Sequence, residues 1–218
     1  MKNLVRKYLL AGATSLVAIS SAYLIIPHEG SKVNKAGEHV PYFDMVGVLT
    51  TCHGMTGKDP LGRPIDKNST YSQEFCDKWY TKDVYAYNSQ MKKKVVVPLY
   101  PYEEVAYTSF VWHVGIGAWN SSTLLKKLNA GDREGACKQL LSWNKVTVPS
   151  YAEAKAYEKR GETCTQKKDG KYSCTVKGIT NRRQAEYKIC MGNNADVNKA
   201  IEEASRLGSV EPEDLKTY

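Results

Sequence analysis

The six cysteines include no CxxC step, so the ordinary grounds for a zinc ribbon or a thioredoxin-like motif are missing. Internal repeats are absent as well. The aromatic residues do not interleave with the Lys and Arg clusters, as a base-stacking platform requires. Nucleic acid is therefore not expected as a partner, although the 218-residue chain carries a net charge of +8. No motif asks for a metal or a cofactor. The charge suits an anionic surface instead, either membrane phospholipid or an acidic cell envelope. Apolar content is ordinary, and the length fits one domain, with two still possible.

The cysteines (Cys52, Cys76, Cys137, Cys164, Cys174, Cys190) are even in number and widely spaced. That suits a sparse set of disulfides and an oxidising compartment. Six cysteines permit about fifteen pairings, so connectivity is not legible from spacing. The N-terminus supplies a route to such a compartment. Lys2, Arg6 and Lys7 precede a stretch without charge, residues 8–26, which Pro27 and His28 end. At helical rise it spans about 28 Å, close to the hydrocarbon thickness of a bilayer. The flanking positive charge places the N-terminus in the cytoplasm and the remainder outside. Nine of these nineteen residues are Ala, Gly, Ser or Thr, so the segment inserts but sits weakly in lipid. A signal peptide cleaved near Ser20-Ser21-Ala22 is the alternative, although Tyr23-Leu24-Ile25-Ile26 extends the apolar run past that site. A buried core helix is the third option. A retained anchor is the preferred reading, and in either of the first two cases the rest of the chain is exported by the host secretion machinery.

Beyond the anchor, residues 28–57 read as irregular and Gly-rich, with a short β-like run over 45–50. Residues 57–68, with Asp59-Pro60 and Arg63-Pro64, read as loop. A helix capped by Ser69 or Thr70 is expected through about Trp79. Pro101 opens a strongly apolar helix over 102–114, the expected spine of the core. Shorter helices follow over 124–128 and 134–143, separated by Gly131-Asp132. Residues 145–177 change character: Lys and Glu are frequent, and Cys164 and Cys174 flank Asp169-Gly170, a hairpin signal that a disulfide could close. A helix resumes over 182–190, and a charged helical extension occupies 193–218. Helices dominate and strands are few and local, so the class is α+β.

Two carboxylates stand in contrasting surroundings. Glu29 follows Leu24, Ile25, Ile26 and Pro27, an apolar context that raises a carboxyl pKa and suits an acid that keeps its proton near neutrality. Asp44 lies in the more polar approach Tyr42-Phe43-Asp44, and Thr50 offers a hydroxyl a few residues on. Alone, these residues assign nothing. The ordered series of motifs assigns more. His28-Glu29-Gly30 is followed by Tyr42-Phe43-Asp44 and by Gly47-Val48-Leu49-Thr50-Thr51-Cys52-His53-Gly54. Later come Ser109-Phe110-Val111-Trp112-His113-Val114-Gly115, Leu124-Leu125-Lys126-Lys127-Leu128-Asn129-Ala130-Gly131-Asp132 and Gly178-Ile179-Thr180-Asn181-Arg182-Arg183. Over most of residues 28–192 this series resembles the phage-type lysozymes, and the weak N-terminal span resembles their signal-arrest-release form.

The resemblance implies a mainly helical lysozyme-like fold with a small β-containing lobe, preceded by a signal-anchor segment (1–27) and followed by the 193–218 extension. It also implies hydrolysis of the bonds between N-acetylmuramic acid and N-acetylglucosamine in peptidoglycan glycan strands. The general acid would be Glu29, Asp44 would position the attacking water, and Thr50 would complete the triad. Arg182 falls where the family places an arginine near the acid, with a surface-helix role as the alternative. His53 stands beside the family's glycine–histidine step, as active-site support or as a rim residue. Cys52 with Cys76 is the pairing the family suggests. Cys137 and Cys190 are further disulfide candidates without assigned partners. A monomer is expected, tethered to the inner membrane through residues 8–26, facing the periplasm and then released into it.

Fourteen residues separate Glu29 from Asp44, more than the family's usual eight or so, which makes Glu38 a rival acid. The 145–177 insert replaces a short family loop, either as a surface elaboration or as a flap that contacts wall or glycan. A lytic transglycosylase-type endolysin and a non-catalytic envelope-binding module are the rival functions.

Overall fold

The computed structural model describes residues 16–28, 31–44 and 47–207. Its contacts divide the chain into two compact units. One holds the chain up to Gln90 together with the stretch from Ala200 onward; the other is residues 91–199.

The first unit opens on α1 (Leu16–Ser20), which continues as a π-turn (Ser21–Ile25) and a 3-10 turn (Ile26–His28). Val17, Ala18, Ile19, Ala22, Leu24 and Ile25 are buried there, and so are Ser20 and Ser21. Burial of apolar groups drives this placement; the two serines are small enough to go with them. The described half of the expected anchor is thus covered by protein. Among the described residues no helix is long and apolar enough to cross a membrane; residues 8–15 lie outside them.

Next, a loop closes on itself. Val40 donates its amide to the Lys32 carbonyl at 2.9 Å, and Asn34 Oδ1 accepts the amides of Ala36 and Glu38. Strands β1 (Tyr42–Phe43), β2 (Leu49–Thr51) and β3 (Met55–Thr56) then form an antiparallel meander, with Tyr42 opposite Thr50 and Thr50 opposite Thr56. Of the β-run expected over 45–50, Leu49 and Thr50 are strand, and residues 45 and 46 lie outside the described residues; Gly47 donates its amide to the Asp44 carbonyl at φ +81, a conformation costly for most other residues. A disulfide joins Cys52 to Cys76, the pairing the resemblance suggested. Around it pack Met55, Ile65 and Tyr71, with Leu49, Phe75 and Trp79 partly buried.

Helix α2 (Gln73–Lys92) is longer than the expected end near Trp79. Its continuation is amphipathic: Tyr80, Val84, Asn88 and Met91 recur at helical spacing and are buried.

In the second unit α3 (Pro101–Val114) is the spine, as expected. Its start is fixed by Pro101 and by Glu103, whose carboxylate accepts the Tyr100 amide at 2.8 Å. Short helices α4 (Ile116–Ser121), α5 (Thr123–Asn129) and α6 (Arg133–Leu140) follow, the last two capped by Ser122 and Asp132. Phe110, Trp119, Leu124, Leu128 and Leu140 are fully buried among them. A disulfide between Cys137 and Cys190 ties α6 to α8 (Lys177–Cys190). The charged tail begins as α9 (Ala195–Leu207).

The insert is more than a hairpin. Strand β4 (Lys145–Val148) precedes α7 (Tyr151–Glu158), and β5 (Thr163–Gln166) and β6 (Tyr172–Thr175) complete an antiparallel sheet in the order β4-β6-β5. Cys164 and Cys174 are cross-strand partners and disulfide-bonded. Val148, Ala154, Tyr157, Cys174 and Val176 make a small core of its own. The α+β class holds, with two three-stranded sheets among the helices.

Candidate active site

Of the expected catalytic residues, Glu29 lies outside the described residues, while Thr50 lies in β2 and Asp44 directly follows β1. The register sets Thr50 opposite Tyr42, and the Asp44 amide donates to the Val48 carbonyl at 2.9 Å. Val48 in turn directly precedes β2. The Asp44 and Thr50 side chains also bind Val48. Its amide donates to Asp44 Oδ1 at 2.8 Å, and the Thr50 hydroxyl donates to its carbonyl at 3.1 Å. One residue of backbone thus fixes the rotamers of both. Thr50 is buried and Asp44 half-buried, and the neighbouring Phe43 and Val48 are exposed.

The long interval before Asp44 finds its explanation in the loop closure. The chain leaves the local backbone at Lys32 and rejoins it at Val40, so the residues between them add length without adding separation. Glu38, the rival acid, sits inside that loop, where its carboxylate accepts the Asn34 side-chain amide at 3.0 Å.

His53 is not a rim residue. It is buried, with its ring edge-on to His39 at 5.5 Å and to Tyr80 at 5.3 Å. His39 is itself held by Gln73 Oε1 at 2.8 Å and by paired backbone bonds to Tyr71. The two imidazoles thus pack the β-strand region against α2.

In the second unit Arg182 is 3% exposed, which rules out a surface-helix role. Its Nε donates to Glu186 Oε1 at 3.3 Å, and its Nη2 reaches the Ser109 carbonyl and hydroxyl at 3.3 Å. Ser109 and Arg183 also donate to Glu186 Oε1, at 2.7 and 3.0 Å. The Arg183 guanidinium lies 5.0 Å from the Phe110 ring centre. Burial pushes the Glu186 carboxyl up, with the two guanidinium groups and the Ser109 hydroxyl opposing; burial pulls Arg183 down to about 10. This cluster joins α3 to α8. Ser109, Arg183 and Glu186 escaped the sequence reading, yet the spacing offered a signal: Arg182 and Arg183 precede Glu186 by four and three residues, one helical face. Among the described residues no group of His, Cys, Asp or Glu is placed to hold a metal.

A family model described as phage lysozyme matches residues 34–186. The SAR-endolysin of Bacteriophage PS119 is 33% identical over 175 residues, covering 80% of this chain and 87% of that protein. The SAR-endolysin of Bacteriophage PS34 is 32% identical over 192 residues, covering 88% and 96%. Among solved structures, the endolysin from Escherichia coli O157:H7 phage FAHEc1 matches with a TM-score of 0.60 and 26% identity, over 83% of this chain and 92% of that one.

Proposed function

This chain belongs to the phage lysozyme family and is a lysozyme-type glycoside hydrolase, and on that premise we propose that it hydrolyses the bonds between N-acetylmuramic acid and N-acetylglucosamine in bacterial peptidoglycan, lysing the host at the end of infection. The observation that supports this reading is that the Asp44 and Thr50 side chains both bond to the backbone of Val48.

In this mechanism Glu29 protonates the leaving glycosidic oxygen. Asp44 accepts a proton from the water that attacks the opposite face of the sugar, and Thr50 holds that water in line. The segment over residues 8–26 holds the exported enzyme at the inner membrane, facing the periplasm, until it leaves the bilayer. Support comes from its composition, from relatives named SAR-endolysins and from the burial of residues 17–22, 24 and 25 in the folded chain. Apolar groups that face lipid in the tethered form are here covered by protein, as in a released enzyme.

The test is a peptidoglycan zymogram with analysis of the products. Wild type should clear the gel and leave reducing sugar ends, while Glu29→Gln should lose at least about a hundredfold in rate and keep its melting temperature. Anhydro ends would identify a transglycosylase, and wall binding without clearing would identify a non-catalytic module. Undiminished clearing by Glu29→Gln would remove Glu29 from the acid's role.

A further inference from the structure

Strand parity gives the sheet of the insert two unlike faces. Val146, Val148, Cys164, Tyr172 and Cys174 belong to the insert's own core, under α7. The alternate residues must then point the other way. By register, Thr147, Ser173 and Thr165 form one cross-strand row, and Lys145, Thr175 and Thr163 form the next. Lys145, Thr147, Thr163 and Thr165 are exposed, and Ser173 and Thr175 half-exposed. Thr165 donates to the Ser173 carbonyl at 3.4 Å; the other four hydroxyls make no such bond among the described residues. At ordinary sheet spacing the array covers roughly 10 Å across the strands and about 7 Å along them.

The charge around this face is one-sided. Residues 145–177 hold eight basic side chains against four acidic ones, so half of the chain's net +8 lies in this insert. Two of the acids are engaged locally: Glu162 accepts the Lys177 amide at 2.8 Å, and Asp169 lies 3.8 Å from the Lys167 ammonium. Lys167, Lys168 and Lys171 cluster at the β5–β6 turn beside the array.

We infer that this hydroxyl-bearing face is a second, non-catalytic binding surface for intact peptidoglycan. The hydroxyls meet the hydroxyl and acetamido groups of a glycan strand, and the lysines meet the carboxylates of its peptide stems. The insert's core and the disulfide between Cys164 and Cys174 hold the array rigid, so little side-chain or loop freedom is lost on binding. A neutral oligosaccharide would use the hydroxyls alone; the polymer, with its stems, uses both. The inference rests on the lysozyme reading for the identity of the polymer. Its consequence is avidity: a weak second contact raises the local concentration of substrate at the catalytic unit.

The experiment uses the full chain. For binding, Glu29→Gln protein is pelleted with purified sacculi, alone and combined with either Thr147→Val, Thr165→Val and Ser173→Ala, or Lys167→Glu, Lys168→Glu and Lys171→Glu. Valine keeps the shape and strand preference of threonine, and a thermal melt verifies folding. Each triple variant should bind sacculi about five- to tenfold more weakly. In the active background the same variants should clear sacculi more slowly by a similar factor, while hydrolysis of a short soluble oligosaccharide of alternating N-acetylglucosamine and N-acetylmuramic acid stays within about twofold. Unchanged pelleting would overturn the inference. So would an equal loss on both substrates, or a parent protein that pelleted better with anionic lipid vesicles than with sacculi. If wild type proved inactive on both substrates, the lysozyme reading would fall, and the pelleting arm would still decide the binding surface.

Discussion

Two buried carboxylates, one in each unit, end with their pKa values shifted in opposite directions. Asp59 organises residues 57–66 of the first unit. Its Oδ1 accepts the amides of Leu61 and Arg63 at 2.9 and 3.0 Å, and its Oδ2 accepts Arg63 Nε at 2.7 Å. Burial alone would raise its pKa, but the amides and the guanidinium outweigh it and hold it below the ordinary aspartate value. Glu186 in the second unit has two arginines and a serine, yet its deeper desolvation wins. Charge count does not decide the outcome. Backbone amides come already oriented and cost no extra buried charge, whereas each arginine that serves Glu186 must itself be desolvated.

The largest effect should come from the helix pair. Glu186→Ala removes the acceptor shared by Ser109, Arg182 and Arg183 and should destabilise the protein by about 3–5 kcal/mol, read from the urea midpoint. A loss below about 1 kcal/mol would mean that the cluster does not join α3 to α8. In the strand region Gly47→Ala has open space for its Cβ but must hold φ +81, and should cost about 1–2 kcal/mol. Because the same turn carries Asp44, catalytic rate should fall more than stability suggests; an unchanged rate would detach the turn from the chemistry.

The smallest effect is one of pH. Asp59 keeps a lower pKa folded than unfolded, so its stabilisation is present above the unfolded value of about 3.9 and is lost as pH falls through the folded value. The gap in melting temperature between wild type and Asp59→Asn should therefore narrow from pH 5 to pH 3. A gap that stayed constant or widened would reverse the sign assigned to this carboxylate.

What the sequence disclosed follows from how local each signal is. The spine helix after Pro101 and the hairpin around Asp169-Gly170 are written in neighbouring residues. The Cys164–Cys174 disulfide followed from the hairpin, whereas Cys52–Cys76 was implied only by resemblance to a family. The second half of α2 was missed because polar residues dominate it, although Tyr80, Val84 and Met91 keep the helical spacing. Helix α7 was missed because its Lys and Glu content reads as solvated loop, and β4 because it is only four residues long; their inward residues (Val148, Ala154 and Tyr157) find a partner only once the hairpin has formed. The burial of His53 and Arg182 depends on rings and helices distant in sequence, and no local pattern announces it. The roles proposed for Asp44 and Thr50 rest on motif order, with geometry adding the Val48 bridge.

The bond from the Val40 amide to the Lys32 carbonyl closes a loop whose exposed tip, residues 35–37, is a detachable parenthesis in the chain, while His39 near its base stays bound to Tyr71 and Gln73. Insertions or deletions there alter residue count while leaving both ends where they are, since an exposed, self-closed loop tip imposes little on its anchors. A pattern search that fixes the interval between Glu29 and Asp44 would overlook such a chain. For the same reason, the exposed tip at Lys35 and Ala36 is a place to graft an affinity tag or a foreign epitope without disturbing the sheet that follows.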